Sequence, residues 1–242
     1  MMIKNIIPKL RLSNKQPISK QIYTHMRSNI VNNTLKPGTT FSENELAAFF
    51  NVSRHPVREA LMMLGNEDLV FIAPQRGTVV QKISIANLRQ VCFIRTSIEC
   101  SCIDNAQNLN VKSFTKILAD LKRNIENQKE ALQKEKDQDA IFLDEDNKFH
   151  ELLCGFSQCP MAWSVIQSIK GQLDRIRFLS MKKPSTIEQL IGEHEAICLA
   201  LHNHDFAEAK RLLKVHLFEV MQTHVGIKEQ YEEWFLEEDE DF

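Results

Sequence analysis

Apolar residues recur along this chain first in helical spacing, then briefly in alternation, then in helical spacing to the end. Between residues 17 and 33, Ile18, Ile22, Met26 and Ile30 fall on one stripe of a helix, which Lys36-Pro37-Gly38 ends. Ser42 with Glu45 three residues on reads as a capping box, opening a short helix that turns Leu46, Phe49 and Phe50 inward. Asn51-Val52-Ser53 reads as a tight turn. Ser53 caps a third helix, and Pro56 lies in its first turn, where a missing N–H is harmless. Val57, Ala60, Leu61 and Leu64 give that helix a core face. Alternation then predicts a hairpin: LVFIA, the turn Pro74-Gln75-Arg76-Gly77, and TVVQKI.

From Ser84 onward no alternation is found. The spacing predicts six helices, near 86–107, 112–135, 139–157, 160–181, 186–202 and 206–225. Ser185 with Glu188, and Asp205 with Glu208, read as capping boxes for the last two. The expected fold is mainly α: an N-terminal winged helix-turn-helix (12–83), a C-terminal all-α helical bundle (84–228) and a solvated acidic tail (229–242).

Composition adds little beyond a globular class: 242 residues, 43% hydrophobic and 26% charged. No apolar run approaches the roughly 18 residues that cross a bilayer, and the N-terminus has no signal-peptide pattern, so a cytoplasmic protein is expected. Six cysteines stand without a framework and read as reduced, mostly buried thiols, the Cys100-x-Cys102 pair included. Charge is more informative. Residues 1–85 hold 11 Lys/Arg against 5 Asp/Glu, whereas the remainder is acidic, giving a net −2. A basic front on an acidic back suits a polyanion-binding module joined to something else.

The third helix carries that charge. Arg54 and Arg58 are neighbours off the core face, with His55 beside them at the helix N-terminus, a set suited to phosphate oxygens and guanine edges. The run SENELAAFFNVSRHPVREALMMLGNEDLV through PQRGTVV resembles the DNA-binding domain of GntR-family transcriptional regulators. The family's Ser-Arg-Thr-Pro-Val-Arg-Glu-Ala-Leu core corresponds to Ser53–Leu61, with His55 in place of the usual threonine. The resemblance implies operator contact by Ser53, Arg54, His55, Val57 and Arg58, with Arg76 and Gly77 at a wing tip in the minor groove.

In the bundle, polar residues interrupt apolar stripes. Asp146 and His150, one turn apart, share a face with Phe142, Phe149 and Leu153. His194 interrupts the stripe of Ile187, Ile191 and Ile197, and His216 that of Ala209, Leu213 and Val220. His194 and His216 are equidistant from the turn at residue 205, so an antiparallel pair sets them level. One carboxylate and three imidazoles converging in a bundle make a divalent metal site, for zinc or else nickel, iron or manganese. Its affinity is expected to weaken as pH falls through about 6.5, where free histidine protonates.

Asp146-x-x-x-His150 followed by His194 and His216 resembles the metal-binding members of the FadR C-terminal (FCD) ligand-binding domain. That resemblance implies a small organic acid held with the metal, a homodimer, and binding that repositions the DNA-binding domains. Arg95 shares a stripe with Val91, Ile98 and Cys102, so its buried guanidinium takes either Glu99 or a ligand carboxylate. Gln172 and Arg175 are further ligand candidates. The expected function is a ligand-responsive DNA-binding repressor with no catalytic residues. Two alternatives stay open: a metalloenzyme using the Asp/His₃ site, and a DNA-binding regulator whose metal is purely structural.

Overall fold

A computed structural model describes residues 3–73, 76–134, 136–182 and 184–237. The chain divides into two compact units that are not contiguous in sequence: residues 1–87, 168–175 and 228–242 form the first, and 88–167 with 176–227 the second.

The first unit opens with a 3₁₀ turn (Ile3–Asn5), then α1 (Ile18–Val31), β1 (Thr40–Phe41), α2 (Glu43–Phe50) and α3 (Arg54–Asn66). Two further strands follow, β2 (Val70–Ala73) and β3 (Gly77–Val80). Ser42 caps α2 by accepting the Glu45 N–H at 3.1 Å, but only half of the expected box forms. The Glu45 carboxylate instead accepts the Ile3 N–H at 2.8 Å, drawing in an N-terminal segment whose Ile3 and Ile7 join the core. Asn51 ends α2 in the left-handed region at φ 53°. Val52 N–H then returns to the Ala47 carbonyl at 3.0 Å, a Schellman closure that makes the tight turn before α3. Ser53 stands at the N-cap of α3 without a side-chain capping bond, contrary to expectation.

The sheet has three antiparallel strands in the order β1-β3-β2, so the hairpin gains a short strand that alternation did not reveal. Gly77 sits at φ +93°, where a Cβ would meet the Phe41 carbonyl at 3.1 Å; β1 and β3 close there only with glycine. Ile22, Met26, Ile30, Leu46, Val57, Ala60, Leu61 and Leu64 fill the core, whereas Ile18 from the expected stripe is exposed.

The acidic end is not wholly solvated. Ile83 donates to the Trp234 carbonyl at 2.8 Å and accepts the Leu236 N–H at 2.9 Å, and Phe235 is buried. Charge and the scarcity of apolar residues read this tail as solvated, but one buried aromatic ring and two backbone bonds dock it at Trp234–Leu236. Residues 238–242 of the expected tail lie outside the described residues.

The second unit is helical: α4 (Ile85–Ala106), α5 (Val111–Leu132), α6 (Gln138–Cys154), α7 (Pro160–Ile169), α8 (Gly171–Ser180), α9 (Pro184–His202), α10 (Phe206–Phe218) and α11 (Val220–Gln230), with α4, α7, α8 and α11 each shared with the first unit. Two expected helices are each broken in two. The span 160–181 breaks at Lys170, and 206–225 breaks at Glu219, whose N–H turns back to the His216 carbonyl. Gly171 is required within the first unit, since a Cβ there would stand 2.9 Å from both the Glu67 carbonyl and the Leu69 side chain. Asn110 caps α5 and Asp205 caps α10, each accepting an N–H at 2.9 Å. Ser185 lies inside α9, which begins one residue earlier at Pro184, and not ahead of it as a cap. Helix α5 packs on α6 and α9, and α9 pairs with α10 across the turn at 203–205. Phe142, Phe149, Leu153, Ile197, Leu201 and Leu213 are buried at their junctions.

Candidate functional site

Helix α3 presents Arg54, His55 and Arg58 to solvent while Val57, between them, is fully buried. Val57, expected both on the core face and at the operator, has its isopropyl group in the core on which α3 rests. Arg58 is held by a two-pronged pair with Glu43 of α2, Nε and Nη2 each 2.9 Å from a carboxylate oxygen. His55 lies 3.1 Å from Glu59, one turn on. Ser53 and Arg76 are exposed, and Gly77 opens β3 beside them in sequence; Pro74 and Gln75 of the expected turn lie outside the described residues.

The structure brings Asp146, His150, His194 and His216 together, all buried, with one ligand atom from each within 4.8 Å of the others. Helix α6 supplies the first two, one turn apart; α9 and α10 supply the others across their turn. Each ring is held from behind. His150 Nδ1 is 2.6 Å from Glu99 Oε2 of α4, His194 Nδ1 is 2.7 Å from Gln128 Oε1 of α5, and His216 Nδ1 is 2.7 Å from Glu193 Oε2 of α9. Gln128 donates its amide to Asn124 at 2.7 Å, which leaves Oε1 as an acceptor only. All three partners accept, so all three Nδ1 atoms carry the proton and all three Nε2 atoms present lone pairs.

Those lone pairs face one another. Nε2 of His216 lies 3.3 Å from that of His194 and 3.2 Å from that of His150. Acceptors at that distance repel unless a cation or proton sits among them. Metal–nitrogen bonds of about 2.0–2.1 Å at tetrahedral angles place nitrogens about 3.3 Å apart. Asp146 stands 3.8 Å from His150 Nε2 and 3.7 Å from His194 Nε2, and neither of its buried oxygens makes a hydrogen bond of ordinary geometry. The donor set thus fits a first-row divalent ion, with outer partners that fix every ring.

Electrostatics agree. Burial pushes the His150 imidazole down to about 4 and those of His194 and His216 down as well, keeping the rings neutral. Burial alone would raise the Glu99 carboxyl, but Arg95 and His150 beside it overcome this and hold it at about 2.

Arg95 is buried with Nε 2.9 Å from Glu99 Oε1, while its Nη2 finds no partner. Arg177, which periodicity did not single out, pairs with Asp146 and reaches Asn147 at 3.2 Å; burial lowers it to about 9. Gln172 and Arg175 are not brought to the cluster. Gln172 donates to the carbonyls of Asp68 and Lys82, and Arg175 to that of Gln81 at 2.7 Å, all in the first unit. Both side chains are thus engaged by backbone carbonyls of the first unit. They lie five and two residues before Arg177 on the same helix, where about 100° per residue sends neighbours to different faces.

Comparison with known proteins agrees with both units. Residues 18–80 match the family described as "Bacterial regulatory proteins, gntR family", and residues 90–219 match the FCD domain. The chain is 36% identical over 228 residues to the HTH-type transcriptional repressor RspR of Escherichia coli K12, covering 94% of this chain and 98% of that one. It is 27% identical over 210 residues to the gluconate operon transcriptional repressor of Bacillus licheniformis, with 84% and 83% covered. Among solved structures, E. coli McbR/YncC superposes with a TM-score of 0.68 at 21% identity, over 92% of this chain and all of that one. No helix among the described residues is long and apolar enough to cross a membrane. With its winged helix-turn-helix and its helical FCD domain, this chain belongs to the GntR family of bacterial transcriptional regulators, in the FadR-like branch.

Proposed function

We propose that this chain is an operator-binding repressor, active as a homodimer, whose helical unit holds a divalent metal and a small carboxylate or sugar-acid effector. The observation that carries the metal reading is the convergence of three Nε2 lone pairs, each fixed by an acceptor on the opposite ring nitrogen. Zinc suits this donor set, as do nickel, iron and manganese. Asp146, His150, His194 and His216 would hold the ion, whose contribution is positive charge and open coordination positions.

An acid effector is supported by the two arginines at the cluster. Arg95 Nη2 is a buried donor lacking an acceptor, and Arg177 shares Asp146 with the metal position. A carboxylate that bridges metal and guanidinium satisfies both. The names of the E. coli and B. licheniformis relatives favour repression, and the second favours a sugar acid. One recognition helix reads one half-site, so a dimer reads a palindrome.

The test uses full-length protein and an operator selected from random duplexes. Elemental analysis should find about one divalent ion per chain, and His194→Ala should lose it. Gluconate and related hydroxy acids are then titrated into an operator-binding assay. A metal-free wild type, after expression in zinc-, nickel-, iron- and manganese-supplemented medium, would refute the metal reading. An operator affinity indifferent to every acid tested would refute the effector.

A further inference from the structure

We propose that Asn124, anchored on the backbone of Glu145, is a positioning residue of the cluster: acting through Gln128, it fixes which nitrogen of His194 carries the proton. The consequence for metal affinity rests on the site proposed above; the tautomer itself does not.

His194 differs from the other two rings in its partner. His150 and His216 face Glu99 and Glu193, carboxylates whose two oxygens both accept. His194 Nδ1 instead faces Gln128 Oε1 at 2.7 Å. An amide adds no further buried negative charge beside Asp146, Glu99 and Glu193, and such charge is costly. It can, however, be reversed, because its two ends have nearly the same shape. A reversed Gln128 would offer an N–H to Nδ1, and the ring proton would then sit on Nε2. The metal-free chain gains from that reversal, since the proton would point at the lone pair of His216 Nε2, 3.3 Å away. It would also leave His194 without a lone pair for a metal. A ring kept ready for metal therefore needs Gln128 locked.

Helix α5 supplies the lock. Gln128 Nε2 donates to Asn124 Oδ1 at 2.7 Å, one turn earlier on the same helix. Asn124 is itself an amide and needs an anchor. Its Nδ2 donates to the Glu145 backbone carbonyl at 3.0 Å and to Glu145 Oε2 at 2.7 Å. A backbone carbonyl only accepts, whatever the pH. That one obligate acceptor orders every link. Asn124 turns its NH₂ to Glu145 and its oxygen to Gln128; Gln128 turns its NH₂ to Asn124 and its oxygen to His194; His194 carries its proton on Nδ1. Asn124 is 3% exposed, and Gln128 and His194 are fully buried, so bulk solvent offers no alternative partner along the chain.

The chain returns to its starting point. Glu145 directly precedes Asp146 on α6, so neighbouring residues supply the anchor of the chain and the carboxylate of the cluster. Helix α5 gives no ligand, yet it sets the ring that α9 presents.

The test is long-range ¹H–¹⁵N correlation on metal-free, full-length protein labelled with ¹⁵N-histidine, in which protonated and lone-pair ring nitrogens differ widely in shift. His194→Ala identifies the signal. Wild type should show His194 protonated at Nδ1. Asn124→Leu fills the space without hydrogen bonding. It should move the proton towards Nε2 and lower zinc affinity at least about tenfold in a competition titration. Adding Gln128→Glu, both of whose oxygens accept, should restore the Nδ1 proton and most of the affinity, a rescue that a packing role for Asn124 would not give. A wild-type His194 with no proton on Nδ1 overturns the proposal, as does Asn124→Leu with wild-type tautomer and affinity. Should Asn124→Leu not fold, Asn124→Asp keeps the shape and the acceptor facing Gln128. It should hold the wild-type tautomer, and a proton moved to Nε2 there overturns the proposal equally. The ordered tautomer in a protein that takes up no metal would instead refute the metal reading alone.

Discussion

His150 Nδ1 and Glu99 Oε2 stand 2.6 Å apart, and the other oxygen of the same carboxylate takes Arg95 Nε at 2.9 Å. One acid thus orients a ring of the metal cluster and neutralises a buried arginine. Glu99→Gln keeps the shape and removes the charge. Outer partners of this type typically contribute about 10- to 100-fold in metal affinity. We expect a fall of that order in a zinc competition titration, with the helical circular dichroism signal retained. An unchanged affinity would show that Glu99 serves Arg95 alone.

Acid should weaken the metal-free fold in a defined window. The His150 pKa lies at about 4 in the folded chain and near 6.5 in the unfolded one. Between those values the unfolded chain binds a proton that the folded chain refuses, so stability falls as pH falls from 6.5 towards 4. His194 and His216 are lowered too and act in the same direction. The thermal midpoint of chelated protein should drop steadily across this range. Proton competition for the folded site then begins well below the 6.5 expected from free histidine, so dialysis at pH 6 should leave bound metal in place.

On the recognition helix, Arg54→Ala and Arg58→Ala should each weaken operator binding at least tenfold, since an arginine–guanine contact supplies about 1–3 kcal/mol. Arg58 must first leave Glu43, which holds it at 2.9 Å through two bonds. Glu43→Gln removes both that competitor and a negative charge facing DNA. We expect severalfold tighter operator binding, read by fluorescence anisotropy at fixed salt. Weaker binding would mean that Glu43 positions Arg58 rather than competing for it.

Within the first unit, Arg27 bonds Glu67 through Nε at 2.9 Å and Asp174 through Nη2 at 2.7 Å. Asp174 is fully buried and pairs with Lys170 as well. Asp174→Asn should cost about 3 kcal/mol, because breaking a buried pair leaves the partner charge uncompensated. Urea denaturation followed by far-ultraviolet circular dichroism measures it, and a loss below about 1 kcal/mol would contradict the assignment.

Much of the candidate site was legible because it lies on single helices. Arg54 and Arg58 are one turn apart on α3, and Asp146 and His150 one turn apart on α6, so helical spacing alone puts each pair on one face. His194 and His216 required one more step, an antiparallel turn midway between them, and the turn is at 203–205. Glu99, Gln128 and Glu193 carried no such signal. Each is an ordinary polar residue on a charged chain until packing brings it behind an imidazole.

What the sequence determined by itself is therefore local: which residues form helices, which face of each is apolar, and which polar residues interrupt that face. Backbone geometry repeats every 3.6 residues, so these follow from spacing. The tertiary structure decided how each helix is rotated against its neighbours. That rotation puts Arg177 on Asp146 and sends Arg175, two residues earlier, to the Gln81 carbonyl. It also docks Phe235 beside Ile83 and joins β1 to the wing. Such choices depend on the summed packing of side chains distant in sequence, and no periodicity within one segment records them.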